Sequence, residues 1–152
     1  MRPLALLAGF MMIVSCYAFK IVTMENYFPT EQDAISPESL KLKEMLDARL
    51  PVKSEATVGK VLRHRVTFAG LSNSIFIIGD DPVSKQWLSE HAEELRQLHA
   101  LGFITNIERA QTLDELQTLS GLPLLPANVD DLMMILNASH YPLMVNEGIV
   151  WQ

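Results

Sequence analysis

Two pairs of adjacent aspartates, four histidines and one cysteine are the residues of this 152-residue chain singled out for the chemistry their types could do. Paired carboxylates such as Asp80-Asp81 can divide the roles of general acid and base, or hold a cation. Asp81 is followed by Pro82, however, and an aspartate before a proline is also the cap and first residue of a helix. Asp130-Asp131 reads the same way, as carboxylates favoured by the positive end of a helix. His64, His91, His99 and His140 include no pair at the close spacing of a zinc helix, and no thiolates accompany them. His91 and His99 share a helix face but stand two turns apart, too far to ligate one ion alone. No Gly-x-Ser-x-Gly elbow and no glycine-rich phosphate loop occurs. The expectation is therefore no metal and no cofactor. An enzymatic reading survives as the alternative: an exported hydrolase using Asp80 or Asp81 with a histidine such as His140, which requires those groups to converge in a cleft.

Cys16 raises a different chemistry. It ends a short leader in which Arg2 supplies a positive start and Leu4 to Val14 an uncharged apolar stretch, the layout of a secretory signal over residues 1–18. Small residues at Cys16 and Ala18 suit a general signal peptidase cutting after Ala18. Ile13-Val14-Ser15-Cys16 equally resembles a bacterial lipobox, which would make Cys16 a lipid attachment point and the protein an envelope-anchored scaffold. Both routes export the chain, to the periplasm. Removal or lipidation of Cys16 leaves no thiol, so stability must come from packing rather than disulfides. The net charge of −6 makes nucleic acid a poor partner. The longest basic run, Arg63-His64-Arg65, reads as a solvated turn before a strand.

The elements that must position these residues follow from pattern. Ser36-Pro37-Glu38 starts a helix that Pro51 stops. Residues 19–59 form an extension with that one helix, Pro51 to Gly59 being a linker, and residues 60–152 form the compact domain. Arg65 to Ala69 reads as a short edge strand. Ser74 to Ile78 is an apolar run of the kind buried on both faces. A helix capped by Asp81 follows, with Trp87, Leu88, Ala92, Leu95 and Leu98 as its buried stripe and Gly102 as its end. Phe103 to Ile107 is the next strand, joined by a right-handed parallel crossover. Thr112-Leu113-Asp114-Glu115 matches a capping box for a helix ending at Gly121. Leu122 to Leu125 is a short strand, and Asn128 or Val129 starts a further helix. Tyr141 to Val145 and Gly148 to Trp151 are the last strands, joined by a tight turn. Pro142 at the head of an apolar strand is allowed at a first or edge position, and its bond to Tyr141 can be cis or trans. The fold class is α/β, a sandwich with a mixed sheet.

That succession, ending in a helix that runs through Asn137-Ala138-Ser139-His140-Tyr141-Pro142 into Leu143-Met144-Val145, resembles the thioredoxin fold. The resemblance implies a three-layer sandwich with a cis-proline strand. Gly79-Asp80-Asp81-Pro82 stands where thioredoxins carry CxxC, and disulfide exchange needs a thiolate, so no oxidoreductase role is expected. The chain also stops at Gln152, without the helix that usually follows the last hairpin. A narrower resemblance rests on Leu50-Pro51-Val52-Lys53-Ser54, Phe76-Ile77-Ile78-Gly79-Asp80-Asp81-Pro82, Ser84 with Trp87-Leu88, Leu125-Pro126-Ala127, Asp130-Asp131-Leu132 and His140-Tyr141-Pro142, in that order. The chain looks like a family of small exported proteins of bacterial integrating conjugative elements. That implies a non-catalytic periplasmic accessory of a conjugative type IV secretion system, whose partners are other envelope proteins of transfer. The membrane would be a partner only through a lipidated Cys16. The expected contact surface is the rim at Asp80, Asp81, Tyr141 and Pro142.

Overall fold

The computed structural model describes residues 37–67 and 73–152. Cys16, the leader, the Ser36 cap and the end of the expected Arg65–Ala69 strand lie outside the described residues. The chain forms the mixed α/β sandwich expected of it. Its centre is β3 (Ile75–Gly79), whose five residues are all buried because both faces of the strand are covered. Phe76 and Ile78 face one apolar core; Ile75 and Ile77 face another on the opposite side of the sheet.

Helix α2 (Pro82–Gln97) carries the chain from β3 to the parallel strand β4 (Leu101–Thr105). Helix α3 (Ala110–Ser120) repeats the move to β5 (Leu124–Pro126), which is parallel to β4. Two successive crossovers in the same direction put α2 and α3 on one face. There Trp87, Leu88, Leu95, Leu113 and Leu116 pack on Phe76, Ile78, Ile104 and Leu124. Helix α4 (Asp130–Ile135) covers the other face, with Val129, Met133 and Leu136 against Ile77, Leu143 and Val150. The chain then runs through β6 (His140–Tyr141), β7 (Leu143–Asn146) and β8 (Ile149–Trp151). With β2 (His64–Arg65) at one edge, the sheet order is β2-β8-β7-β3-β4-β5. Strand β7 is antiparallel to β3 and β8, the hairpin turning on Glu147 and Gly148, both at positive φ as a type I′ turn requires.

Several sequence expectations are corrected by packing. Pro51–Gly59 is no linker. Val52 bridges to Ile107, Val52 and Ala56 are buried, and β1 (Thr57–Val58) pairs in parallel with β6. With α1 (Pro37–Asp47) contributing Leu46 to the first core, the packed unit reaches well before Lys60. The capping box is not used: α3 begins at Ala110 with Arg109 at the cap, and Thr112 is buried within the helix. Nor does Gly102 end α2. The helix stops at Gln97, His99 takes the left-handed turn, and Gly102 sits inside β4 beneath Phe76 and Leu124. The run Tyr141–Val145 is split by Pro142, which cannot donate to a ladder.

Candidate functional site

Strand β3 delivers Gly79-Asp80-Asp81 to the rim of the sheet, and β6 delivers Tyr141-Pro142 beside it. The Tyr141–Pro142 peptide is cis, as is Leu50–Pro51. A Cβ at Gly79 would enter the ring of Tyr141, so glycine is what lets the two segments touch. Tyr141 itself is only 4% exposed. Its hydroxyl accepts a hydrogen bond from Asn106 Nδ2 at 2.9 Å. Burial pushes the phenol up from its ordinary pKa, opposed by the Asn106 hydrogen bond and assisted by the negative charge of Asp81. Pro142 is buried as well. Of the four rim residues expected from sequence, two therefore support the surface from within.

The carboxylates are occupied. Asp81 caps α2: Oδ1 accepts from Ser84 N at 2.8 Å and Oδ2 from Ser84 Oγ at 2.7 Å. Asp80 meets Lys85 Nζ at 2.7 Å, with its side chain 17% exposed. His140 alternates with Tyr141 along β6, so it faces away from Gly79 and the acidic loop. It meets Thr57 Oγ1 at 3.0 Å instead. The acid–base constellation of the hydrolase reading is not assembled. Among the described residues no three of His, Cys, Asp and Glu come together as a metal site, and no helix is long and apolar enough to cross a membrane.

A polar clamp that the sequence reading missed closes the ends of the parallel strands. Asn106, at positive φ just after β4, accepts from Ser54 N and donates to Ala56 O as well as to Tyr141. Ser54 Oγ lies 2.6 Å from Thr105 Oγ1 and accepts from Val129 N. Asn128 Nδ2 donates to Lys53 O, and Asp130 accepts from Glu55 N. Ligand crevices of open α/β sheets lie at these strand ends, and here residues 53–56 fill that place. An asparagine directly after an apolar strand was the available signal, since Asn tolerates the left-handed region.

What stays open is a shallow groove of about 640 Å³ beside Pro142. Val83, Trp87 and His91 of α2 wall one side and Val58 to Lys60 the other. Gln152 stitches the groove together: Nε2 donates to Gly59 O and Pro142 O, and Oε1 accepts from Val61 N. Val58 and Val83 are 39% and 50% exposed. Trp87 stacks on His91 with ring centroids 4.7 Å apart, and Trp151 edges against His91 at 5.5 Å. The Trp87 indole N–H is buried and finds no acceptor among the described residues, an uncommon cost for a buried donor. Sequence pattern placed Trp87 in the core stripe, which is half of what it does.

Residues 16–150 match the model of a family described as a protein of unknown function, DUF2859. The chain belongs to the DUF2859 family. The match begins at Cys16 and takes in the acidic loop, the clamp and the groove of this DUF2859 protein, except for Trp151 and Gln152. No curated protein and no solved structure matches it.

Proposed function

We propose that this DUF2859 protein is an exported, non-catalytic accessory of a conjugative type IV secretion apparatus, acting in pilus or mating-channel assembly through protein–protein contacts. The ordered motifs from Leu50 to Pro142 support the setting by resemblance. The observation that carries the mode of action is the rim itself. A thiol-free loop, with both carboxylates engaged internally, lies beside Pro142 and an open apolar groove. A surface of that kind binds; it offers no free acid, base or nucleophile at the loop. Asp80 contributes through its partly exposed pair with Lys85, while Asp81, Tyr141 and Pro142 hold the surface in shape.

The test is a variant that alters the groove without touching the core. Val83 is half-exposed on the first turn of α2, and Val83→Glu places a charge where an apolar contact would be. In cells carrying the transfer region, transfer frequency should fall about tenfold or more at unchanged protein level, and pull-down should lose a transfer-apparatus partner. Unchanged transfer and an unchanged pull-down would reject the groove as the contact surface. Mass spectrometry of the mature N-terminus separates the two forms of export, because only the anchored form carries a lipid on Cys16.

A further inference from the structure

Lys60 and the triplet Arg63-His64-Arg65 form the charged motif that the fold and the rim leave unexplained. Between Glu55 and Asp80 the chain has no acidic residue, so Lys60, Arg63 and Arg65 stand together in a protein of net charge −6. All three are exposed. None forms an ion pair among the described residues, whereas Lys43, Lys53, Lys85 and Arg96 each do. Two acids border the run: Glu90, which lines the same groove as Lys60, and Glu147, next to the Gly148 whose carbonyl accepts from Val66 N. Neither is at ion-pair distance from the cations.

The cations lie on and beside β2, an edge strand bonded to β8 alone. Charge on an edge strand discourages pairing with another copy, since like charges would meet across the new ladder. Charge of this kind disfavours self-association through the edge. It does not explain Leu62, 73% exposed in the middle of the run, because protection against pairing needs no apolar side chain. Lys60 then leads into the groove beside Pro142, whose one acidic lining residue is Glu90. Along the edge itself, from Lys60 to Arg65, the cations have no anionic partner among the described residues.

We infer that this edge docks an extended acidic segment of a partner protein, which follows Arg65, Arg63 and Lys60 and covers Leu62. Charge complementarity selects an acidic occupant and excludes a second copy of the same edge. An added strand suits the site because β2 pairs only with β8 among the described residues, on one of its two sides. The inference rests on the interaction reading above and names the chemistry of the partner.

The test uses the purified full chain and three probes: a fluorescein-labelled decapeptide of alternating Glu and Val, its Lys-for-Glu counterpart, and phosphatidylglycerol vesicles. The Glu-Val peptide should bind, and its binding should weaken with added salt. Arg63→Glu with Arg65→Glu should weaken it roughly tenfold or more, while Lys41→Glu with Arg109→Glu, an equal charge change elsewhere, should not. Absence of binding, equal binding of the Lys-Val peptide, or equal weakening by both double variants overturns the inference. So does binding to the vesicles alone, which would make the edge a lipid-surface site. Transfer lost in Val83→Glu but intact in Arg63→Glu/Arg65→Glu would overturn the edge and leave the groove reading standing.

Discussion

His64 shows how one side chain can carry a charge that its surroundings dictate. Nδ1 lies 2.8 Å from Leu62 O and Nε2 2.7 Å from Leu136 O. A neutral imidazole has one N–H, so only the imidazolium can donate to both carbonyls. Leu136 is the C-cap of α4, where a positive charge is further favoured. The Leu62 carbonyl, then the Leu136 carbonyl, hold the imidazole above its ordinary pKa, against a small opposing effect of burial. A raised folded-state pKa means the stabilisation is complete below the unfolded value of about 6.5 and is lost as pH rises through the folded one. The difference in urea midpoint between the native protein and His64→Phe should therefore shrink from about pH 6 to about pH 9. A difference that stays constant across that range would show that His64 does not titrate in this clamp.

At the scale of elements, α2 depends on one residue for its start. Asp81 uses both carboxylate oxygens on Ser84, and Ser84 Oγ also accepts from Gly79 N at 3.0 Å. The cap thereby ties the helix to the end of β3 and fixes the wall of the groove. Asp81→Ala should cost about 1–2 kcal/mol in chemical denaturation, and Asp81→Asn clearly less, the ordinary range for a side-chain cap. Equal costs for both would mean that charge at the loop, rather than capping, is what matters. The capping box at Thr112 makes the opposite point. Its pattern was good, but burying Thr112 and starting the helix three residues earlier was better.

For the whole molecule, the segment before Lys60 decides where the domain begins. Leu46 and Val52 are buried in the first core and Ala56 in the second, and the Asn106 clamp needs Ser54 and Ala56 as partners. Burial of a Leu or Val side chain is worth roughly 1.5–3 kcal/mol, against a total of about 5–15 kcal/mol for a typical domain. A chain beginning at Lys60 should lose its near-UV circular dichroism and its cooperative melt, while one beginning at Pro37 keeps both. A cooperative melt from the shorter chain would restore the linker reading of residues 51–59.

Local pattern was enough for much of this protein. The run Ser74–Ile78 reads as a strand buried on both faces, and Asp81-Pro82 as the start of a helix. The spacing of Trp87, Leu88 and Leu95 gave α2 its buried side. Those features rest on periodicity and capping, which act within a few residues. The α/β class and the parallel crossover followed from their order, and the lack of any cysteine after Cys16 from composition. Other matters depended on residues far apart in the chain. Segment 51–59 reads as a linker until Val52 meets Ile107 and Thr57–Val58 meets His140–Tyr141. Tyr141 reads as a rim residue until Gly79 and Asn106 enclose it. Trp87 reads as core until it also walls the groove beside Pro142. In each case the sequence supplied the side chain, and only the long-range packing decided whether it faces the interior, the groove or solvent.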